Sequence, residues 1–176
     1  MTATTLRLAA APVRADDFRR TCLSLAGFPH IGVDVVSLSR IAKAGDREVR
    51  RFACGPSDLA AIDTAASHPD EILPLTAATW AVKEAAIKAA GGRPDGFAWS
   101  SIRVGHCGPS PTCVARLAGR ALRNCTGSAI SYGCHYEWSL AVPAPRGVAA
   151  WCVADGAVWA VAVEEQTCAN GGLGTR

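Results

Sequence analysis

The sequence predicts a single α+β domain in which an antiparallel sheet packs on helices. Segments rich in β-branched residues lie toward both ends of the folded part, and helix-forming stretches are grouped between them. There is no repeating alternation of strand and helix, as a parallel, doubly wound sheet would require. The length of 176 residues, with 49% hydrophobic and 19% charged residues, suits one domain with a sizeable core.

The first half of the chain is predicted to be one strand followed by helices. Residues 1–29 form an extension rich in Ala and Arg, with a short helix predicted near residues 16–25. IGVDVVSL, residues 31–38, indicates a strand because of its β-branched residues. SRIAKAGDREVRRFACGPSDLAAIDTAA favours two helices divided at Cys54-Gly55-Pro56, and LTAATWAVKEAAIKAA favours a third that ends at Gly91-Gly92.

The second half is predicted to supply the remaining strands. They lie in FAWSSIRVGHC, PSPTCVARL, AISYGCHYEWSLAVPA, VAAWCVA and AVWAVAVEE. Asp155-Gly156 between the last two is a strong signal for a two-residue hairpin turn. We therefore assign residues 30–166 to the domain and residues 167–176 to a flexible tail.

Composition narrows the class of protein. The net charge of +3 is too small to indicate a nucleic-acid partner, although clustered basic residues would suit an acidic protein. The eight cysteines include no C-x-x-C pair, and the N-terminus is unlike a signal peptide. No apolar stretch is long enough to span a membrane. These features predict a cytoplasmic protein with reduced, mostly buried thiols, without a zinc site and without membrane association.

Two carboxylates stand in apolar surroundings. Glu84 lies in WAVKEAAIKAA, a helix apolar on nearly all sides, and Asp34 lies in the middle of an apolar strand. Strand alternation puts Asp34 on the face of Gly32 and Val36. A buried carboxylate costs several kcal/mol without a compensating group. One hypothesis is that the two carboxylates share a divalent cation such as Mg²⁺, with Lys88 beside a bound phosphate. The alternative is local: a Glu84–Lys88 helix pair and an Asp34 that caps or pairs nearby.

Four sequence motifs occur in the same order as in a known family. IGVDVVSLSRI, GDREVRRFACGPSDLAAI, WAVKEAAIKAAGG and DGFAWSSIRV resemble the holo-acyl-carrier-protein synthase family, the small 4′-phosphopantetheinyl transferases. That family has a G-x-D strand, an R-x-F-type segment and a helix reading (F/W)-x-x-K-E-A-x-x-K. The resemblance extends from about Ile31 to Val153 and implies a divergent member of that family with a 4′-phosphopantetheinyl transferase-like domain. An unrelated α+β domain would have to match this order by chance.

The resemblance implies a Mg²⁺-dependent transferase. It would move the 4′-phosphopantetheine arm of coenzyme A to a serine of an apo acyl carrier protein in fatty-acid or polyketide biosynthesis and release 3′,5′-ADP. Asp34 and Glu84 match the metal ligands, Lys88 the phosphate-contacting lysine and Lys83 a motif lysine assigned to cofactor binding. Glu84 and Lys88 are the catalytic candidates, with Glu84 or a metal-bound water as the base.

The resemblance also implies partners. Arg40 matches an arginine that meets the acidic carrier protein, and Arg47 and Arg51 extend that basic stretch. For Arg47 and Arg51, a solvated helix face is the alternative. Short members of the family are homotrimers with active sites between subunits, so the resemblance implies a homotrimer here.

Two departures from the family motifs leave a second interpretation open. Thr79 occupies a position that is often basic, and Ala141, Pro143 and Ala144 replace the family's S-x-S-H. The N-terminal extension and the extra C-terminal strand AVWAVAVEE exceed the family pattern, and we expect them to cover a sheet edge or to modify the trimer interface. The second interpretation is a catalytically lapsed member that acts as a carrier-protein-binding or structural subunit.

Overall fold

The computed structural model describes residues 30–52, 54–107, 119–120, 122–124, 126–128, 130–138 and 146–165. The strands are β1 (Ile31–Ser37), β2 (Ile102–Cys107), β3 (Tyr132–Trp138), β4 (Arg146–Ala154) and β5 (Ala157–Glu165). The helices are α1 (Leu38–Phe52), α2 (Pro56–Ala65) and α3 (Ile72–Ala89), with short 3-10 turns at Pro69–Glu71 and Trp99–Ser101. The predicted α+β class is confirmed. The N-terminal helix, the strand in PSPTCVARL and the C-terminal tail were predicted for segments outside the described residues.

All pairings in the five-stranded sheet are antiparallel, in the order β1-β5-β4-β3-β2. The predicted hairpin between β4 and β5 is confirmed, since Asp155 and Gly156 turn with φ of 50° and 70°, as a type I′ turn requires. The expectation that the last strand covers a sheet edge is wrong, because β5 pairs with β1 on one side and β4 on the other. It is an internal strand, and it joins the first strand of the domain to the rest of the sheet.

Helix α3 is the central helix of the domain. Its residues 75–83, 85–87 and 89 are buried, as its nearly continuous apolar sequence predicts. It packs against β1 at Gly32, where a Cβ atom would overlap the carbonyl oxygen of Ala85 and lie 2.6 Å from the backbone nitrogen of Ala89. Glycine is therefore needed at this strand position for the helix to approach so closely.

The predicted alternation of β1 is confirmed by its two faces. Val36 belongs to the main core beneath α3, whereas Ile31 and Val33 belong to a second apolar cluster. Asp34 lies on the same face of the strand as Gly32 and Val36, which is the face covered by α3. The Asp34 carboxylate therefore lies beside the central helix.

Three cysteines have described side chains, Cys54, Cys134 and Cys152, and all three are buried thiols outside any disulfide, as predicted. Burial, with a smaller effect of the nearby Asp58 charge, raises the pKa of the Cys54 thiol to about 11. This thiol is protonated at neutral pH and therefore acts as a small apolar packing group.

Candidate active site

Asp34 and Lys88 form the link between strand β1 and helix α3. The Lys88 ammonium donates to Asp34 Oδ1 at 2.6 Å and to the Val33 carbonyl at 3.0 Å. The Asp34 side chain is only 16% exposed, while that of Lys88 is 51% exposed. Burial raises the pKa of Asp34, and the Lys88 hydrogen bond and charge only partly oppose this shift. The carboxylate is therefore incompletely compensated by its lysine.

Glu84 lies one helical turn before Lys88 on the same side of α3. Its side chain is 25% exposed, and Oε1 is 3.6 Å from a terminal nitrogen of the Arg93 guanidinium. The loop residue Arg93 follows the end of the helix at Gly91-Gly92, whose φ values of 83° and 137° favour glycine. Each of the two predicted carboxylates thus has its own cation, and Lys88 on α3 contacts the β1 residue Asp34.

The chemistry of these side chains fits a hard divalent cation. No cluster of three or more His, Cys, Asp or Glu suited to a metal occurs among the described residues. Asp34 and Glu84 would therefore supply only two carboxylate ligands. Mg²⁺ is commonly held in this way, with water and substrate phosphate oxygens completing its octahedron. The partly exposed carboxylates of Asp34 and Glu84, on two neighbouring elements, are the donors that would hold such a cation.

Lys83 does not join this group. It is fully buried, and its ammonium donates to Asp58 Oδ2 at 2.7 Å and to the Trp99 carbonyl at 3.0 Å. Asp58 also accepts backbone N–H groups from Gly55 at 2.8 Å and Val104 at 3.1 Å. This enclosed pair ties α2, α3 and β2 together and leaves the ammonium no contact with solvent. In this conformation Lys83 has a structural position and does not face a dissolved cofactor.

Asp58 does not stand out in the sequence as a site residue. Its position after Gly55-Pro56 suggests only a helix cap, a role that its bond from Gly55 fulfils. The signal that could have revealed the pair is Lys83 itself, because a lysine in an otherwise buried helix needs an anionic partner.

The predicted carrier-protein arginines lie on α1. Arg40 is exposed near the start of this helix, with its guanidinium carbon 5.2 Å from the ring centroid of Trp80. Trp80 is one turn before Glu84 on α3, so Arg40 and Glu84 lie near the same flank. Arg47 and Arg51 follow the backbone kink at Gly45, and their side chains are outside the described part of the structure.

Thr79 is a core residue in this chain. It is fully buried and donates its hydroxyl to the Leu75 carbonyl at 3.0 Å, so its oxygen accepts the 2.8 Å bond from Nε2–H of His106. Burial lowers the pKa of His106 to about 4, so the imidazole is neutral at neutral pH. A basic side chain at position 79 would have to displace this network. The other departure, at Ala141, Pro143 and Ala144, is outside the described residues.

A pocket of about 470 Å³ lies near the N-terminal end of α3, whereas Glu84 and Lys88 lie toward its C-terminal end. Its lining includes Pro74 and Leu75 of α3, His106 of β2, Tyr132 of β3 and Trp151 of β4. None of the site residues predicted from the sequence lines this pocket. The candidate active site is the flank where the carboxylates of Asp34 and Glu84 and the half-exposed Lys88 ammonium lie.

Comparison with known proteins identifies the family. The model of the 4′-phosphopantetheinyl transferase superfamily matches residues 30–137, more than half of the chain. The chain therefore belongs to the 4′-phosphopantetheinyl transferase superfamily, a family of transferases, and the predicted resemblance is confirmed. The matched segment contains Asp34, Glu84 and Lys88.

A solved structure is also similar to this chain. It is the holo-[acyl-carrier-protein] synthase from Neisseria meningitidis, which is 22% identical over 78% of this chain and 98% of the other, with a TM-score of 0.45. A comparison with curated proteins gives no match. In the part of the chain that the structure describes, no helix has both the length and the apolar character needed to cross a bilayer.

Proposed function

We propose that this protein is a Mg²⁺-dependent holo-acyl-carrier-protein synthase. It transfers the 4′-phosphopantetheine arm of coenzyme A to a serine of an acidic apo acyl carrier protein and releases 3′,5′-ADP. The observation that supports this most strongly is the 2.6 Å contact between Asp34 on β1 and Lys88 on α3, one turn after Glu84. It joins the two family motifs, which are some 50 residues apart in sequence, in one partly exposed site.

The reaction needs charge neutralisation and positioning more than covalent help from the protein. The serine oxygen attacks the β-phosphorus, the bond from that phosphorus to the oxygen of the departing 3′,5′-ADP breaks, and the serine proton leaves. Mg²⁺ held by Asp34 and Glu84 would supply positive charge to the pyrophosphate. The half-exposed Lys88 ammonium would contact a phosphate oxygen as negative charge moves to the leaving group. Glu84, or a water beside it, would accept the serine proton.

The carrier protein would approach along α1. Arg40 is exposed there and held against the Trp80 ring. We assign Arg40, with Arg47 and Arg51, to the acidic surface of the carrier protein, where exposed charges mainly accelerate association. Lys83 contributes by holding α3 in place through Asp58. We also propose the homotrimer implied by the family resemblance, which light scattering would test.

The test is intact-mass spectrometry of apo acyl carrier proteins incubated with coenzyme A, Mg²⁺ and this protein. Asp34→Asn and Glu84→Gln remove one carboxylate each without changing side-chain size. Asp63→Asn on α2 and Glu48→Gln on α1 are matched controls, because both residues are exposed. We expect wild type and both controls to add one phosphopantetheine arm, and both site variants to lose most of this activity.

Two results would contradict the proposal. Wild-type activity in Asp34→Asn or Glu84→Gln would remove that residue from the site. No modification of any carrier by folded protein that also fails to bind coenzyme A would instead favour the catalytically lapsed interpretation.

A further inference from the structure

Arg93 occupies an unusual place beside the proposed metal ligands. Its terminal nitrogen is 3.6 Å from Glu84 Oε1, and its side chain remains 55% exposed. Its guanidinium carbon is 5.5 Å from the ring centroid of Phe97 and 5.2 Å from that of Trp99. The cation therefore lies over two aromatic rings next to the carboxylate.

The two aromatic rings fix the position of the Arg93 guanidinium. Trp99 packs against Trp80 of α3 with centroids 6.2 Å apart, and its carbonyl accepts the buried Lys83 ammonium at 3.0 Å. Phe97 packs against Trp138 of β3 at 6.1 Å. The rings under Arg93 are thus anchored to both the helix and the sheet. A guanidinium over such rings loses less freedom on binding an anion than a lysine on a free loop.

The ion pair with Glu84 is weak by comparison. A separation of 3.6 Å exceeds the distance of a charge-assisted hydrogen bond, and the guanidinium keeps most of its donors unused in this contact. Arg93 is therefore held near Glu84 mainly by the rings and can bind another anion without leaving them.

The charges of the site change when a divalent cation enters. Without it, Asp34 is paired with Lys88 and Glu84 with Arg93. If both carboxylates held the cation, Lys88 and Arg93 would each lose their carboxylate partner and would face the same flank as two positive side chains. A phosphate matches a guanidinium well, because its oxygens accept two parallel N–H bonds.

We propose that Arg93 is a second phosphate-binding residue, which pairs with Glu84 in the metal-free protein and binds a phosphate group of coenzyme A once Glu84 holds the cation. This inference rests on the proposed function and extends it to a residue outside the quoted helix motif. It has two opposite consequences. Loss of Arg93 weakens coenzyme A binding, and it strengthens metal binding in the absence of coenzyme A, because a competitor for Glu84 is removed.

Isothermal titration of coenzyme A into the Mg²⁺-loaded full chain tests the first consequence. Arg93→Gln is expected to raise Kd about tenfold or more, the loss of a charge-assisted contact. Arg93→Lys is expected to be intermediate, because it keeps the charge and loses the planar fork. Arg103→Gln is the matched control: Arg103 is exposed on β2, at the opposite edge of the sheet from β1, and its loss is expected to leave Kd unchanged.

Dephospho-coenzyme A identifies the phosphate. An equal loss with dephospho-coenzyme A supports contact with the pyrophosphate, and a loss confined to coenzyme A supports contact with the 3′-phosphate. Mn²⁺ titration without coenzyme A tests the second consequence, for which Arg93→Gln is expected to bind the ion about two- to fivefold more tightly. Weaker Mn²⁺ binding by this variant would mean that Arg93 only positions Glu84, and would overturn the inference.

The failure of this inference is distinguishable from that of the proposed function. A coenzyme A Kd in Arg93→Gln that equals those of wild type and Arg103→Gln would overturn the inference alone. A raised carrier-protein KM with unchanged coenzyme A Kd would also overturn it, by assigning Arg93 to the carrier protein. A wild-type protein that binds no coenzyme A would overturn both.

Discussion

Replacing Lys83 with methionine tests the structural role that the fold gives to this lysine. The ammonium and the Asp58 carboxylate are 0% and 1% exposed and 2.7 Å apart. Lys83→Met leaves a buried carboxylate with only the N–H groups of Gly55 and Val104, and leaves the Trp99 carbonyl without the lysine donor. Removing one partner of a buried ion pair costs about 3–5 kcal/mol, and the two remaining N–H bonds favour the lower figure. A loss of about 3 kcal/mol is a large part of the roughly 5–15 kcal/mol that stabilises a domain.

Urea unfolding followed by tryptophan fluorescence measures this loss. Lys43→Met is the control for the same chemical change at an exposed position of α1 and is expected to change the free energy of unfolding by less than about 0.5 kcal/mol. The double variant Lys83→Met/Asp58→Asn removes the unpaired charge and is expected to be more stable than Lys83→Met alone. A single-variant loss below about 1 kcal/mol would refute the structural role.

Three further predictions concern packing, pH and the carrier protein. Gly32→Ala forces α3 away from β1 and is expected to lower the free energy of unfolding by about 2 kcal/mol or more, measured by thermal unfolding. The control is Gly55→Ala, which is expected to lower it by less than about 1 kcal/mol, because Gly55 has a φ of −72° and an added Cβ would make only ordinary contacts. Because the pKa of His106 is lowered from 6.5 to about 4, the unfolded chain binds a proton in that interval that the folded chain does not. Stability should therefore fall by up to about 3 kcal/mol as pH drops through the interval, and His106→Gln, unlike His68→Gln, should reduce this loss in unfolding curves. Arg40→Gln is expected to raise the carrier-protein KM about two- to fivefold at low salt and by less at high salt, with an unchanged coenzyme A Kd. An increase in KM that does not depend on salt would contradict an electrostatic role for Arg40.

Features set by local sequence patterns were predictable. The alternation of IGVDVVSL orients Asp34 toward the helices, the continuous apolar sequence of α3 buries it, and Asp155-Gly156 forms the hairpin turn. In each case a period of 2.0 or 3.6 residues, or a turn residue with positive φ, determines the outcome within a few residues. The contact of Asp34 with Lys88 itself was not predicted, because it depends on the packing of β1 against α3 across 54 residues.

Features set by distant contacts were not predictable. Lys83 and Lys88 share one motif and one helix, yet Asp58, 25 residues before Lys83, draws the first into the core while the second stays half-exposed. The position of β5 between β1 and β4 depends on pairing across most of the chain. Arg93 reaches Glu84 only because the chain turns back after α3. Neither periodicity nor residue type encodes such long-range partners.

The central claim is that Asp34 and Glu84 together hold the divalent cation used in transfer. Electron paramagnetic resonance of Mn²⁺ with coenzyme A present measures this directly, because free and bound Mn²⁺ give different signals. We predict a single Mn²⁺ bound per chain in wild type, in Lys88→Gln and in the surface control Asp63→Asn, and loss of that ion in both Asp34→Asn and Glu84→Gln. Wild-type Mn²⁺ affinity in either Asp34→Asn or Glu84→Gln would contradict the shared site.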